Sequence, residues 1–237
     1  VAMKIALISG TSIERADTFA GWQERRVPTP YGELLVKVNG ALVAMNRHGF
    51  ERALPPHAIN YRANVEALRA LDISSVVTLS SVGSVREEIP PGSIVCCEDY
   101  MSFAPKTFID DRMSAFAPVI GNPHLEAMRE RSSQAIVADK VYLQTRGPRF
   151  ETRAEVRAIR ALGADVVGMT LANEADLILE RGLELTSFCM VDNYAHGVRA
   201  AQLSMEAFRE LVAKNQASVN RFLAELVDCL KNRFPSP

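Results

Sequence analysis

Apolar and polar positions in this chain change period repeatedly, and those changes predict strands alternating with helices. Short runs rich in β-branched and apolar residues occupy Lys4–Ser9, Gly40–Met45, Ser75–Ser80, Ser93–Glu98, Lys140–Thr145, Ala164–Met169 and Glu184–Val191. Runs of that length between polar or glycine-bearing stretches read as strands. Between them, Tyr61–Leu71, Pro123–Ile136, Arg153–Leu162 and Ala172–Arg181 read as helices. A long C-terminal helix is predicted from about Ser204 to Phe234. Its apolar stripe is Phe208, Leu211, Val212, Val219, Phe222, Leu223, Leu226 and Leu230, near the 3.6-residue period, and its other face is charged. The alternation specifies the α/β class, with a mixed, mostly parallel central sheet flanked by helices. No repeat, low-complexity tract or Gly/Ser linker interrupts it, so residues 1–237 are read as one domain.

In open α/β sheets ligands bind beyond the carboxyl ends of the strands, which directs attention to five loops. Ser9-Gly10-Thr11-Ser12, Arg47-His48-Gly49 and Ser80-Ser81-Val82-Gly83-Ser84 combine hydroxyls, small residues that free backbone N–H groups, and a guanidinium. An anion needs those groups, although an ordinary turn explains each loop taken alone. Arg146–Glu151 and Asp192–Gly197 offer a second constellation with Met169: Phe150 gives a flat apolar face, Glu151 an acceptor, and Asn193 both a donor and an acceptor. A purine needs such a set, while a helix start at Glu151, a core methionine and a turn asparagine are the ordinary alternatives.

Composition narrows the partners. Of 237 residues, 27 are Lys or Arg and 28 Asp or Glu, mixed along the chain to a formal charge of −1, so nucleic acid and acidic membranes are not expected partners. Cys96, Cys97, Cys189 and Cys229 form no CxxC pair, and His48, His57, His124 and His196 lack metal-ligand spacing, so neither a disulfide framework nor a metal is expected. The start at Met3–Ile8 is too short for a signal peptide and no run reaches the length of a membrane span, which together with the free cysteines predicts a cytoplasmic protein.

The motifs, in order, are Thr29-Pro30-Tyr31-Gly32, Arg47-His48-Gly49, Pro55–Asn64, Val82-Gly83-Ser84 with Pro91-Gly92, Gly147–Thr152 and Gly163–Thr170. Through them the sequence resembles, over nearly its whole length, the trimeric purine nucleoside phosphorylase and methylthioadenosine phosphorylase family. The resemblance implies the nucleoside phosphorylase α/β fold, a homotrimer or a hexamer, and no cofactor beyond phosphate as co-substrate. It implies that Thr11, Arg47, His48, Ser81 and Thr170 line a phosphate site and that Met169 packs along the ribose. Phe150 and Glu151 then meet the base, and Asn193 faces its N7 and 6-position edge. Asn193, Glu151 and His48 are the implied catalytic groups.

Relatives that cleave 6-aminopurines resemble a pattern with serine at position 151 and aspartate at 193; Glu151 and Asn193 instead suit a 6-oxopurine, whose N1–H donates to a carboxylate and whose carbonyl accepts from an amide. The expected reaction is therefore phosphorolysis of inosine, guanosine or 5′-methylthioinosine, closest to the S-methyl-5′-thioinosine phosphorylase branch. Departures from the family pattern are Ser9 and Ser12 in place of glycines, Arg52 in place of a histidine, no histidine in Met113–Pro118, and Asn173 in place of a proline. The histidine changes concern the 5′-substituent. Competing readings are a methylthioadenosine phosphorylase, a phosphate-independent nucleosidase and a nucleoside-binding protein without turnover.

Overall fold

The computed structural model describes residues 3–10, 13, 16–199 and 205–233, with the side chains of 207, 208 and 233 outside the description. Thr11 and Ser12 of the first loop, Ser204, Phe234 and the Phe208 side chain therefore lie outside the described residues.

A nine-stranded mixed sheet organises the chain: β1 (Ile5–Ser9), β2 (Gln23–Thr29), β3 (Gly32–Asn39), β4 (Leu42–Asn46), β5 (Ser75–Ser84), β6 (Ile94–Met101), β7 (Ile136–Gln144), β8 (Val166–Gly168) and β9 (Glu184–Tyr194). The order is β2-β3-β4-β1-β5-β8-β7-β6-β9, and β9 also pairs with β5. That extra pairing closes β5, β8, β7, β6 and β9 into a ring, while β1 and β4 extend it as parallel strands. Val82, Val95, Tyr142, Val166, Cys189 and Val191 form one core cluster on the ring strands.

Helices α1 (Tyr61–Ala70) and α4 (Leu171–Glu180) cover one part of the sheet, joining Val65, Leu68, Leu177 and Ile178 to Ile8, Met45 and Val76. Helix α5 (Met205–Arg233) brings Phe222, Leu223, Leu226 and Leu230 against Leu79, Ile94, Phe188 and Met190, with Phe188 and Phe222 edge to face at 5.2 Å. Helices α2 (Leu125–Arg131) and α3 (Arg153–Ala161) complete the set, and α3 starts at a capping box between Thr152 and Glu155.

The period-based reading and the fold differ in instructive places. The hairpin β2–β3 is absent from the expected strands because its residues are mostly exposed, with Val27 and Val36 alone fully buried in it. Pro28 fits there because β2 is an edge strand. The helix expected over Pro123–Ile136 ends at Arg131, and Ile136 opens β7. Ser80–Ser84 and Asp192–Tyr194, expected as loops, belong to strands that run on to the site. Among the described residues, no helix is long and apolar enough to cross a membrane.

Candidate active site

Strands β1, β4, β5 and β9 deliver their carboxyl ends to one cavity of about 780 Å³. That size suits a small ligand. Gly10, Arg47, His48, Ser81 and Thr170 line it together with Phe150, Glu151, Met169 and Asn193. Every described member of the sequence-derived site set therefore reaches the same cavity; Thr11 is the one that lies outside the described residues.

The turn after β4 is built locally. The Asn46 side chain donates to the Gly49 carbonyl at 2.9 Å and accepts from the His48 N–H at 3.0 Å. Gly49 has φ +94°, and a Cβ there would stand 2.9 Å from the Arg52 carbonyl oxygen, so glycine is required. Asn64 of α1 donates to the Arg47 carbonyl at 3.1 Å, fixing the turn to the helix.

Arg47 is buried and its hydrogen bonds are directed inward. Its Nε donates to Glu174 Oε1 at 2.6 Å and its Nη2 to Oε2 at 3.1 Å. Nη1 donates to the Leu79 carbonyl, and Nη2 also reaches the Ile8 carbonyl and Ser80 Oγ. Burial works to lower the guanidinium's pKa, but the Glu174 carboxylate more than offsets it, so Arg47 stays charged. Burial pushes the Glu174 carboxyl up, against the pull of Arg47. The guanidinium of the second anion loop is thus already neutralised by a buried partner.

His48 Nδ1 lies 2.7 Å from the Leu54 carbonyl, which can only accept, so Nδ1 carries the proton and Nε2 is an acceptor in the neutral ring. Burial and then the Arg47 charge lower its pKa, which favours that neutral form. The Nε2 edge faces Gly10, where a Cβ would be 3.6 Å away. Thr170 precedes α4 without a capping bond from its hydroxyl, so that hydroxyl is left to the cavity. The first α4 N–H groups are engaged: Leu171 donates to Tyr142 Oη and Ala172 to Gln144 Oε1.

The second set of side chains is held more lightly. Glu151 is 8% exposed and accepts from Thr145 Oγ1 at 2.6 Å. Asn193 donates through Nδ2 to the Tyr194 carbonyl at 2.8 Å, leaving its second N–H and its carbonyl oxygen for a ligand. Met169 packs against Gly147, where a Cβ would fall 2.5 Å from its Sδ.

Sequence reasoning did not single out two contributions. Asp192, 4% exposed, lines the cavity beside Asn193 because β9 carries one extra residue where Val82 pairs with Val191 and Gly83 with Asn193. Such a bulge re-aims a side chain. Helix α5 supplies Met205, Arg209, Val212, Gln216 and Val219 to the wall, at the three- and four-residue spacing of one face. Arg52 is exposed and does not line the cavity, and His196 accepts from Arg153 Nε at 3.4 Å away from it. Asp110 pairs with Arg62 at 2.7 Å.

The phosphorylase superfamily model matches residues 4–228. The chain is 35% identical, over 96% of both chains, to a probable 6-oxopurine nucleoside phosphorylase from Archaeoglobus fulgidus. It is 33% identical to an S-methyl-5′-thioadenosine phosphorylase from Thermofilum pendens, over 95% of this chain and 91% of that one. Its fold superposes on methylthioadenosine phosphorylase from Schistosoma mansoni, in a structure with adenine, with a TM-score of 0.77 at 25% identity, covering 97% of this chain and 92% of the other.

Proposed function

Because the chain belongs to the phosphorylase superfamily, we propose that it cleaves a purine nucleoside with phosphate, preferring a 6-oxopurine: inosine, guanosine or 5′-methylthioinosine. The products are the free base and the corresponding ribose 1-phosphate. The observation that carries this reading is the meeting, in one cavity, of Glu151 and Asn193 with His48, Ser81 and Thr170.

In this reaction the C1′–N9 bond breaks as a phosphate oxygen bonds to C1′. The sugar gains positive character and the purine negative charge, so groups that meet those charges act most strongly in the transition state. The second N–H of Asn193 donates to N7, and Glu151 accepts from N1–H. Met169 and Phe150 hold sugar and base. His48 Nε2 accepts the O–H of hydrogen phosphate, and the departing base ends with the proton that hydrogen phosphate brings. The displacement is redox-neutral and balances with phosphate as sole co-substrate, without a cofactor.

The active form is a homotrimer. Phe103, Met113, Phe116 and Val119 expose apolar surface in the segment between β6 and α2, which supports burial against another copy. Four buried free cysteines fit a reducing cytoplasm.

Initial rates with inosine, guanosine, methylthioinosine and methylthioadenosine, each with and without phosphate, test the reaction. Phosphate-dependent cleavage of the 6-oxopurines is expected. Preference for methylthioadenosine contradicts the assigned roles of Glu151 and Asn193, and phosphate-independent turnover contradicts phosphorolysis. Sedimentation velocity reads the assembly.

A further inference from the structure

The oxyanion side of the cavity has an electrostatic problem. Arg47 is neutralised by Glu174, and His48 is neutral with its free nitrogen an acceptor. Ser81 donates its hydroxyl hydrogen to Asp192 Oδ2, so it has none to give an incoming anion. Asp192 itself is a buried carboxyl in the same cavity. A dianion and an ionised Asp192 would repel each other at low dielectric, and the Ser81 oxygen would present a lone pair to any anion oxygen that carries no hydrogen.

The groups around Asp192 narrow where the conflict is resolved. Strand β5 presents Ser81, and α5 presents Asn215, whose Nδ2 donates to Asp192 Oδ1 at 3.3 Å. Among the described residues, the ionisable groups facing Asp192 across the cavity are Arg47 and His48 after β4, Glu151 before α3, Arg209 of α5, and Glu174 of α4 behind Arg47. None of these is hydrogen-bonded to Asp192. Protonating Glu174 breaks the buried ion pair, and protonating His48 adds a cation beside Arg47.

We propose that Asp192 takes up a proton as the oxyanion enters, and that its O–H then donates to Ser81 Oγ so that the Ser81 hydroxyl turns to the oxyanion. One proton comes from solvent, no other bond changes, and the cavity loses one negative charge as the ligand brings its own. The assignment of phosphate as the physiological oxyanion rests on the phosphorolysis reading; the proton-linked site does not. Burial pushes the Asp192 carboxyl up to about 6, with the Asn215 hydrogen bond opposing it, so the neutral form lies within reach near neutrality.

Sulfate is the probe, because it stays a dianion where phosphate titrates. Calorimetric titrations of the whole protein between about pH 5.5 and about pH 8 are expected to show sulfate affinity falling roughly tenfold per pH unit above the Asp192 pKa. Asp192→Asn is expected to abolish that slope and bind sulfate about thirtyfold tighter than the wild type at about pH 7.5. In parallel, carbon-13 carboxyl spectra of aspartate-labelled wild type should show one carboxyl whose titration moves upward on sulfate saturation.

An unchanged slope in Asp192→Asn, a slope lost in His48→Gln instead, no sulfate binding at any pH, or no aspartate titration that moves with sulfate overturns the proposal. Inosine turnover against phosphate separates the two readings. Phosphate-independent turnover removes phosphorolysis and leaves the sulfate result to decide the place of the proton.

Discussion

Arg47 directs its hydrogen bonds to Glu174, Leu79, Ile8 and Ser80, whereas Asn193 and Glu151, in the same cavity, each make one short-range bond, to Tyr194 and Thr145. The first region is a saturated polar network tying β1, β4, β5 and α4 together. The second keeps donors and acceptors unfilled. A network of the first kind holds shape and resists change, because removing any member strands a buried partner. Groups of the second kind contribute little to folding and stay open to a ligand in the cavity. Stability and chemistry should therefore separate on mutation: large folding losses in the Arg47 region, large rate losses in the Asn193 region.

The largest expected effect tests the first half of that contrast. Glu174→Ala leaves the Arg47 guanidinium buried without its carboxylate, and a broken buried pair costs about 3–5 kcal/mol. Urea unfolding should show that loss, and replacing both residues with apolar side chains of similar volume should recover most of it. A loss below about 1 kcal/mol would mean that the pair holds no structure.

Asn193→Ala tests the other half. Loss of a donor that acts on charge developing in the transition state is expected to lower kcat on inosine by about 10²–10³-fold. Stability should change by about 1 kcal/mol or less, since the bond lost runs to the adjacent residue's carbonyl. Equal losses in rate and stability would erase the distinction between the regions.

Asp192 crosses the boundary, belonging to the cavity yet opposing the fold. Its carboxyl is raised to about 6 in the folded protein, so the folded state holds a proton that the unfolded chain releases at lower pH. The associated stability is full below about pH 4 and is lost as pH rises through about 6. Asn cannot ionise, so Asp192→Asn should be more stable than the wild type by roughly 2–3 kcal/mol above about pH 7, with the advantage vanishing near about pH 4. Thermal melts across that range measure it. A constant difference at all pH values would assign the effect to packing.

The sequence disclosed these regions unequally. Strands β1 and β4 and helices α1 and α4 follow local apolar periods, and the turn chemistry of Arg47-His48-Gly49 is local too, so each is legible from spacing. Glu174 is another matter. It lies 127 residues from Arg47 and reads as an ordinary acidic residue in the first turn of a helix. Asp192 enters the cavity through a one-residue register shift between β5 and β9, and register between distant strands has no local signature. The α5 stripe was legible as apolar, but Val212 and Val219 also face the cavity with Arg209 and Gln216, which the period alone does not distinguish from core. What escaped was in each case a pairing across the fold.

The smallest expected effect probes how the lightly held region is positioned. Glu151 immediately precedes the N-cap of α3, where Thr152 Oγ1 accepts from the Glu155 N–H at 3.2 Å and the Glu155 carboxylate accepts from the Thr152 N–H at 2.7 Å. Arg149 grips the same Glu155 carboxylate at 2.7 Å and 2.8 Å, so the backbone on both sides of Glu151 is fixed through one acidic side chain. Thr152→Ala removes the cap and should cost about 1 kcal/mol of stability. It should also raise the KM for inosine a few-fold while leaving the KM for phosphate unchanged, because the cap touches no residue of the Arg47 network. Thr152→Ser restores the hydroxyl and should restore both values. If Thr152→Ala raises the phosphate KM equally, the two regions are coupled through the β7–α3 segment and do not act as separate modules.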